Sequence, residues 1–150
     1  MSFQRILVPV DFSATSIEAL RLAASLARGG AHLDLLNVGV LPDPSLAGPV
    51  PSSSVLLEIA ARMAESRGSE LEALRRREVP AEVGSATHLR EGNPAEEIVA
   101  AAQELGSDLI VLGTHGRQGL EALVLGSVAE RVTQRSPIPV LVTRAGPAAS

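Results

Sequence analysis

Directly after the apolar run DLIVL, the chain reads GTHGRQGLEALVLGSVAERV from Gly113 onward. Gly113 and Gly116 stand three apart, Gly126 follows after nine intervening residues, and Ser127 comes next. Glycine lets a backbone turn tightly and approach a ligand with no Cβ in the way. Backbone N–H groups gathered in such a turn form an anion-binding concavity, and a helix N-terminus adds unpaired donors and a positive dipole end. Gly113 and Gly116 would shape the first half of a cradle. Gly126 and Ser127 would set its second half at the start of a helix, with the Ser127 hydroxyl as a further donor. Arg117 supplies the only full positive charge within the loop. The chemistry this pattern points to is polyphosphate binding. Its long gap separates it from the dinucleotide fingerprint G-x-G-x-x-G, which closes within one short turn.

Absences narrow the chemistry further. All 13 basic side chains are arginine, so a Walker P-loop, a protein-kinase phosphate lysine and a Schiff base are excluded. There is no cysteine, hence no disulfide, thiolate zinc site or thiol nucleophile. His32, His88 and His115 lack metal-ligand spacing, and no G-x-S-x-G elbow occurs. The net charge of -4 and the near absence of aromatic residues argue against a nucleic-acid partner. The one basic run, Arg75-Arg76-Arg77, closes a helical pattern where positive charge suits the dipole. No apolar run approaches the roughly 20 residues of a membrane span, and MSFQRILVPV does not resemble a signal peptide. The expectation is one soluble cytoplasmic domain with no membrane partner.

The elements that must hold this loop are punctuated along the chain. Phe3 to Val10 reads as a buried strand. A helix follows, capped by Ser13 or by Thr15, the latter at capping-box spacing from Glu18. Ile17, Leu20, Ala24 and Ala27 form its apolar face, and Gly29-Gly30 ends it. Leu33 to Val40 is a second strand, and Leu41 to Ser54, rich in Pro and Ser, reads as a mobile loop. A long helix is expected from about Val55 to Glu78, with Leu56, Ile59, Ala60, Met63, Leu71 and Leu74 on its apolar side and Gly68 interrupting it. Val79 to Leu89 contains a third strand, near an edge. Asn93 as N-cap, Pro94 as first residue, Glu96 as capping-box acid and Gly106 as stop define the next helix. Leu109 to Leu112 is the fourth strand, Ser127 to Gln134 the last helix, and Ile138 to Thr143 the fifth strand.

Such alternation implies right-handed crossovers and a parallel sheet covered on both faces, a doubly wound α/β domain. Ligands of these sheets bind beyond the carboxyl ends of the strands. The residues there are Asp11, Gly39 to Leu41, Glu91-Gly92 and the loop from Gly113.

The glycine spacing, the opening ILVPVDFS and the closing PIPVLV resemble the universal stress protein family, in its ATP-binding branch, over essentially the whole chain. The resemblance implies a Rossmann-like five-stranded parallel sheet of order 3-2-1-4-5 over residues 1–144; the tail AGPAAS, 145–150, itself reads as disordered. That order would bring Asp11 beside Gly113. It also implies that Pro9, Val10 and Asp11 flank the adenosine, with the Asp11 carboxylate an acceptor; capping the first helix is the competing role for Asp11. The Val38 backbone would meet the adenine edge and Leu112 would line its pocket. Gly113, Thr114, His115, Gly116, Arg117, Gln118 and Gly119, with Gly126, Ser127, Val128 and Ala129, would hold ribose and phosphates. No acid is placed to orient His115, which fits a loop or ribose-phosphate contact better than a catalytic base. The chain departs from many relatives at Asn37, where they carry histidine, and this leaves fine base selectivity open.

ATP carries up to four negative charges against one arginine, so Mg, held mainly by phosphates and water, would offset the remainder. Hydrolysis finds no lysine, paired carboxylates or second arginine that can be placed in the site. The expectation is a nucleotide-dependent sensor or switch with no or very slow hydrolysis, not an enzyme. Its alternatives are a nucleotide-free interaction module and a weak ATPase. An adenine-nucleotide α-hydrolase is disfavoured, because PVDFSATS replaces the S-G-G-x-D-S type loop. Finally, an apolar, uncharged last strand at the sheet edge would pair with its copy, giving a homodimer through 138–144, as the family usually does.

Overall fold

The computed structural model describes residues 2–40, 53–114 and 125–144. Strands and helices alternate as β1 (Arg5–Pro9), α1 (Ala14–Ala27), β2 (His32–Gly39), α2 (Ser53–Glu78), β3 (Ser85–Glu91), α3 (Pro94–Leu105), β4 (Leu109–Gly113), α4 (Ser127–Arg135) and β5 (Val140–Thr143). The five strands are parallel in the order β3-β2-β1-β4-β5. Side chains alternate across a strand, so each central strand feeds two cores. Ile6 and Val8, Leu33 and Leu35, and Leu109 and Val111 join the layer of α1 and α2. Leu7, Leu36, Ile110 and Leu112 join the layer of α3 and α4. The helices lie two to a face, which makes the sheet doubly wound.

Local chemistry explains the element ends. Ser13, extended at ψ 159, is the N-cap of α1 and accepts from the Ser16 N–H. Thr15 lies inside the helix, so the Thr15–Glu18 box does not form. Asn93 caps α3 by accepting from the Glu96 N–H, Pro94 begins it, and Gly106 at φ 71 ends it in the left-handed region that favours glycine. The Glu96 carboxylate does not turn back to the cap; it lies 3.5 Å from Arg135.

Two expectations for α2 are corrected. Gly68 does not interrupt the helix, which runs unbroken from Ser53 to Glu78. A Cβ at this position would stand 3.2 Å from Leu89 Cδ1, so the glycine lets α2 approach β3 closely. Of the expected apolar side, only Leu71 and Leu74 are buried; Leu56, Ile59, Ala60 and Met63 are exposed. The sheet ends beneath the second half of the helix, and the first half has no sheet to pack on among the described residues. β3 begins within the expected stretch and runs past its end to Glu91, with Val79 and Val83 buried ahead of it. β5 is shorter than Ile138 to Thr143, because Pro137 and Pro139 lack the N–H a ladder needs.

Candidate functional site

The cleft begins where β1 and β4 lie side by side. The connection after β1 leaves to the α1 face, while the helix after β4, α4, packs on the other. Diverging connections leave a crevice at the strands' carboxyl ends. A cavity of about 350 Å³ opens there, large enough for part of a small organic ligand. Pro9, Val10, Asp11, Val38, Leu112, Gly113, Thr114, Gly126, Ser127, Val128 and Ala129 all line it. The chain has thus brought every described member of the expected set to one place. His115, Gly116, Arg117, Gln118 and Gly119 lie outside the described residues, as do 41–52 and the tail 145–150.

The floor between β1 and α1 is a tight turn. Phe12 has φ 66, which a bulky residue adopts only under constraint, at a cost on the order of 1–3 kcal/mol. Its ring packs on the α1 core, which holds the turn in place. Asp11 Oδ1 accepts from the Ser13 N–H at 2.9 Å and from the Ser13 hydroxyl. The helix-entry role therefore engages one carboxylate oxygen, and no hydrogen bond among the described residues engages Oδ2. The Asp11 N–H reaches Ser16 Oγ at 3.4 Å.

Across the cleft, Gly113 packs against the first turn of α1. A Cβ there would lie 2.9 Å from the Thr15 carbonyl oxygen and 3.0 Å from its carbon, both backbone atoms that cannot yield cheaply. This glycine serves the close approach of β4 and α1 before it serves any ligand. Next in the chain, the Thr114 N–H donates to the Thr143 carbonyl, and the Thr114 carbonyl accepts from Gly126 N–H at 2.7 Å. The start of α4 is thereby pinned to the end of β4.

The first hydrogen bond of α4 runs from Glu130 N–H to the Gly126 carbonyl. The amides of Ser127, Val128 and Ala129 consequently have no intrahelical partner, and Gly126 offers no capping side chain. Thr114 is 4% exposed, and its hydroxyl has no hydrogen-bond partner among the described residues. A buried hydroxyl left unpaired costs on the order of 1–3 kcal/mol. Among the described residues, the uncapped start of α4 and the unpaired Thr114 hydroxyl thus meet at the β4–α4 junction that borders the cavity.

Much of the remaining lining is apolar. Leu36, Val38 and Val40 come from β2, Ile98 from α3 and Leu112 from β4. Behind Val38, Asn37 is buried and donates from Nδ2 to the Val10 carbonyl at 2.8 Å. No arginine or carboxylate other than Asp11 lines the cavity among the described residues, and these contain no metal-binding cluster. No helix among them is long and apolar enough to cross a membrane.

Sequence reasoning missed Ser13, Thr15 and Ser16 as lining residues, and Pro94 with Ile98 on α3. A signal existed for both sets. The first helical turn after a central strand must border the crevice, and the capping sequence Asn93-Pro94 begins just beyond β3.

An open cleft at the switch point of a five-stranded parallel sheet defines the class: a doubly wound α/β domain. Comparison with known proteins makes the class specific. The model of the universal stress protein family matches residues 2–144. The chain is 37% identical over 146 residues to universal stress protein MJ0531 of Methanocaldococcus jannaschii, covering 95% of this chain and 82% of that one. Among solved structures, MJ0577 of the same organism superposes with a TM-score of 0.83 at 27% identity, covering 99% and 100% of the two chains. A universal stress protein from Archaeoglobus fulgidus in complex with dAMP superposes with a TM-score of 0.58 at 27% identity, covering 95% and 98%. This chain belongs to the universal stress protein family.

Proposed function

We propose that the protein binds ATP in this cleft and acts as a nucleotide-dependent sensor or switch, with no or very slow hydrolysis. The observation that carries the reading is the division of the cavity: an apolar slot at Val38 and Leu112, an unpaired hydroxyl at Thr114 and open amides at Ser127 to Ala129. That division matches an adenine at one end and phosphate oxygens at the other. The dAMP held by the Archaeoglobus fulgidus relative supports the adenine class. In this reading Asp11 Oδ2 accepts from the ribose, the Thr114 hydroxyl finds its partner on the ligand, and the α4 amides receive phosphate. Mg, held by the phosphates and water, neutralises charge that the lining residues do not.

Turnover finds little support. Phosphoryl transfer needs a positioned water and stabilised equatorial oxygens, and Asp11, the one lining carboxylate among the described residues, is already committed to Ser13 through one oxygen. Binding itself is then the event the cell would read, in the cytoplasm where ATP is made and spent. β5, as an edge strand, would pair with a second copy to give a homodimer.

The test exploits the absence of Trp and Tyr. A co-purified adenine nucleotide would dominate the near-ultraviolet absorbance, and mass spectrometry of the released ligand would name it. Saturable Mg-ATP binding, with single-turnover cleavage of radiolabelled ATP far below the ~1 s⁻¹ of slow kinases, is expected. Failure to saturate would overturn the binding role, and kinase-like turnover the switch role.

A further inference from the structure

One polar group holds the cleft from outside it. Arg67, on α2, donates from Nη1 to Asn37 Oδ1 at 2.7 Å and from Nη2 to Glu91 Oε1 at 3.1 Å. Asn37 in turn donates to the Val10 carbonyl, one residue before Asp11. A single guanidinium therefore ties the ends of β2 and β3 directly, and that of β1 through Asn37. It also occupies the space beside Gly39, where a Cβ would stand 2.5 Å from Arg67 Cζ.

Strand alternation gives this clamp its meaning. Val38 lines the cleft, while Asn37 and Gly39 on either side of it contact the α2 arginine. Behind this wall the described residues leave a hollow rather than a packed core. This second hollow, of about 480 Å³, shares Asp11, Val38 and Val40 with the cleft and is bounded by Arg67, Ala60 and Met63. With little apolar packing to fix the Val38 rim from behind, the charge-assisted hydrogen bonds of Arg67 carry its position. The Gly39 carbonyl, accepting from Gly92 N–H at 3.0 Å, holds it from the β3 side.

We propose that Arg67 is a positioning residue for the nucleotide base, clamping the Val38 rim from the α2 side, and that through it α2 responds to occupancy of the cleft. The proposal rests on the ATP reading above. A ligand that orders the rim must favour the clamped arrangement, and by linkage the clamp must favour the ligand. The nucleotide then reaches α2, whose first half carries Leu56, Leu57, Ile59 and Met63 exposed, without touching that helix.

Hydrogen exchange and Mg-ATP titration on the whole chain test this, comparing wild type, Arg67→Met, Arg67→Lys and Gly39→Ala. In the wild type, Mg-ATP should slow exchange both at Ser127 to Ala129 and in α2 around Arg67. In Arg67→Met, slowing at α4 should persist, slowing in α2 should vanish, and affinity should fall about tenfold. Arg67→Lys, with one compact head for two acceptors, should fall between. Gly39→Ala displaces only the flexible end of a side chain, so it should fold and mimic Arg67→Met. Combined with Arg67→Met it should add little, since both act on one contact. Unchanged affinity in Arg67→Met, or slowing in α2 that survives it, overturns the clamp while leaving ATP binding intact. A wild type with no slowing at α4 overturns the ATP reading, and the clamp with it.

Discussion

Two of the sites at which this domain buries polar groups treat them in opposite ways. In the amino half of β2, Asp34 is 0% exposed. Arg5 Nε donates to it at 2.6 Å and Nη2 at 3.2 Å, while the Nε2 atoms of His88 and His32 stand 2.8 and 3.2 Å away. Burial alone would raise this carboxyl; the hydrogen bonds from Arg5 and His88 outweigh it and hold the group below its ordinary value. At the carboxyl ends of β1 and β4, by contrast, the Thr114 hydroxyl has no partner and the first α4 amides have no side-chain cap among the described residues. A cluster whose members satisfy one another needs nothing from outside and serves the fold. Polar groups left open beside a cavity bear a cost that a ligand can remove.

The sharpest way to break this contrast is to remove Asp34. Asp34→Ala leaves Arg5 without its buried partner and should cost about 3 kcal/mol in urea unfolding, while Mg-ATP affinity moves less than about twofold. A large loss of affinity would mean the two regions are not separate. Gly113→Ala comes next, because its Cβ would press on the Thr15 backbone. It should destabilise by about 1–3 kcal/mol and also weaken Mg-ATP binding, since the strand end that carries Thr114 must shift.

Thr114→Val sharpens the comparison from the other side. It removes an unpaired hydroxyl at nearly constant volume, so ligand-free stability should hold or rise, yet Mg-ATP affinity should fall about fivefold. Loss of stability without loss of affinity would make Thr114 structural, like Asp34. The smallest effect is in acid. The folded-state Asp34 carboxyl lies below its ordinary 3.8, so its contribution is present above that pH and is lost as pH falls through the folded value. Asp34→Asn should flatten that acid limb of the stability curve, and a limb of unchanged slope would assign it to other carboxylates.

One side of this contrast, the element ends and the β4–α4 junction, was legible in the sequence. Asn93, Pro94 and Gly106 bound α3 because capping chemistry is local and each residue type has few alternatives. The glycine spacing located the β4–α4 junction for a similar reason. Long-range packing was not legible. Nothing near Gly113 reveals that the Thr15 backbone sits where a side chain would go, and nothing near Gly68 reveals Leu89. The helical periodicity of Leu56 to Met63 promised burial, but periodicity says which residues share a face, not whether anything covers it. Asp34 and its partners are scattered at positions 5, 32, 34 and 88, and only the register of β1, β2 and β3 assembles them. Arg67 escaped notice for the same reason, being distant in sequence from both Asn37 and Glu91.

The most direct measurement is a heteronuclear NMR titration of the whole chain with Mg-ATP, following backbone amides in both regions. The amides of Ser127, Val128 and Ala129 should shift and saturate together with that of Thr114, while those from His32 to Leu35 stay still. Shifts confined to the Asp34 cluster, or none that saturate anywhere, would contradict the assignment of the ligand to the α4 end of the cleft.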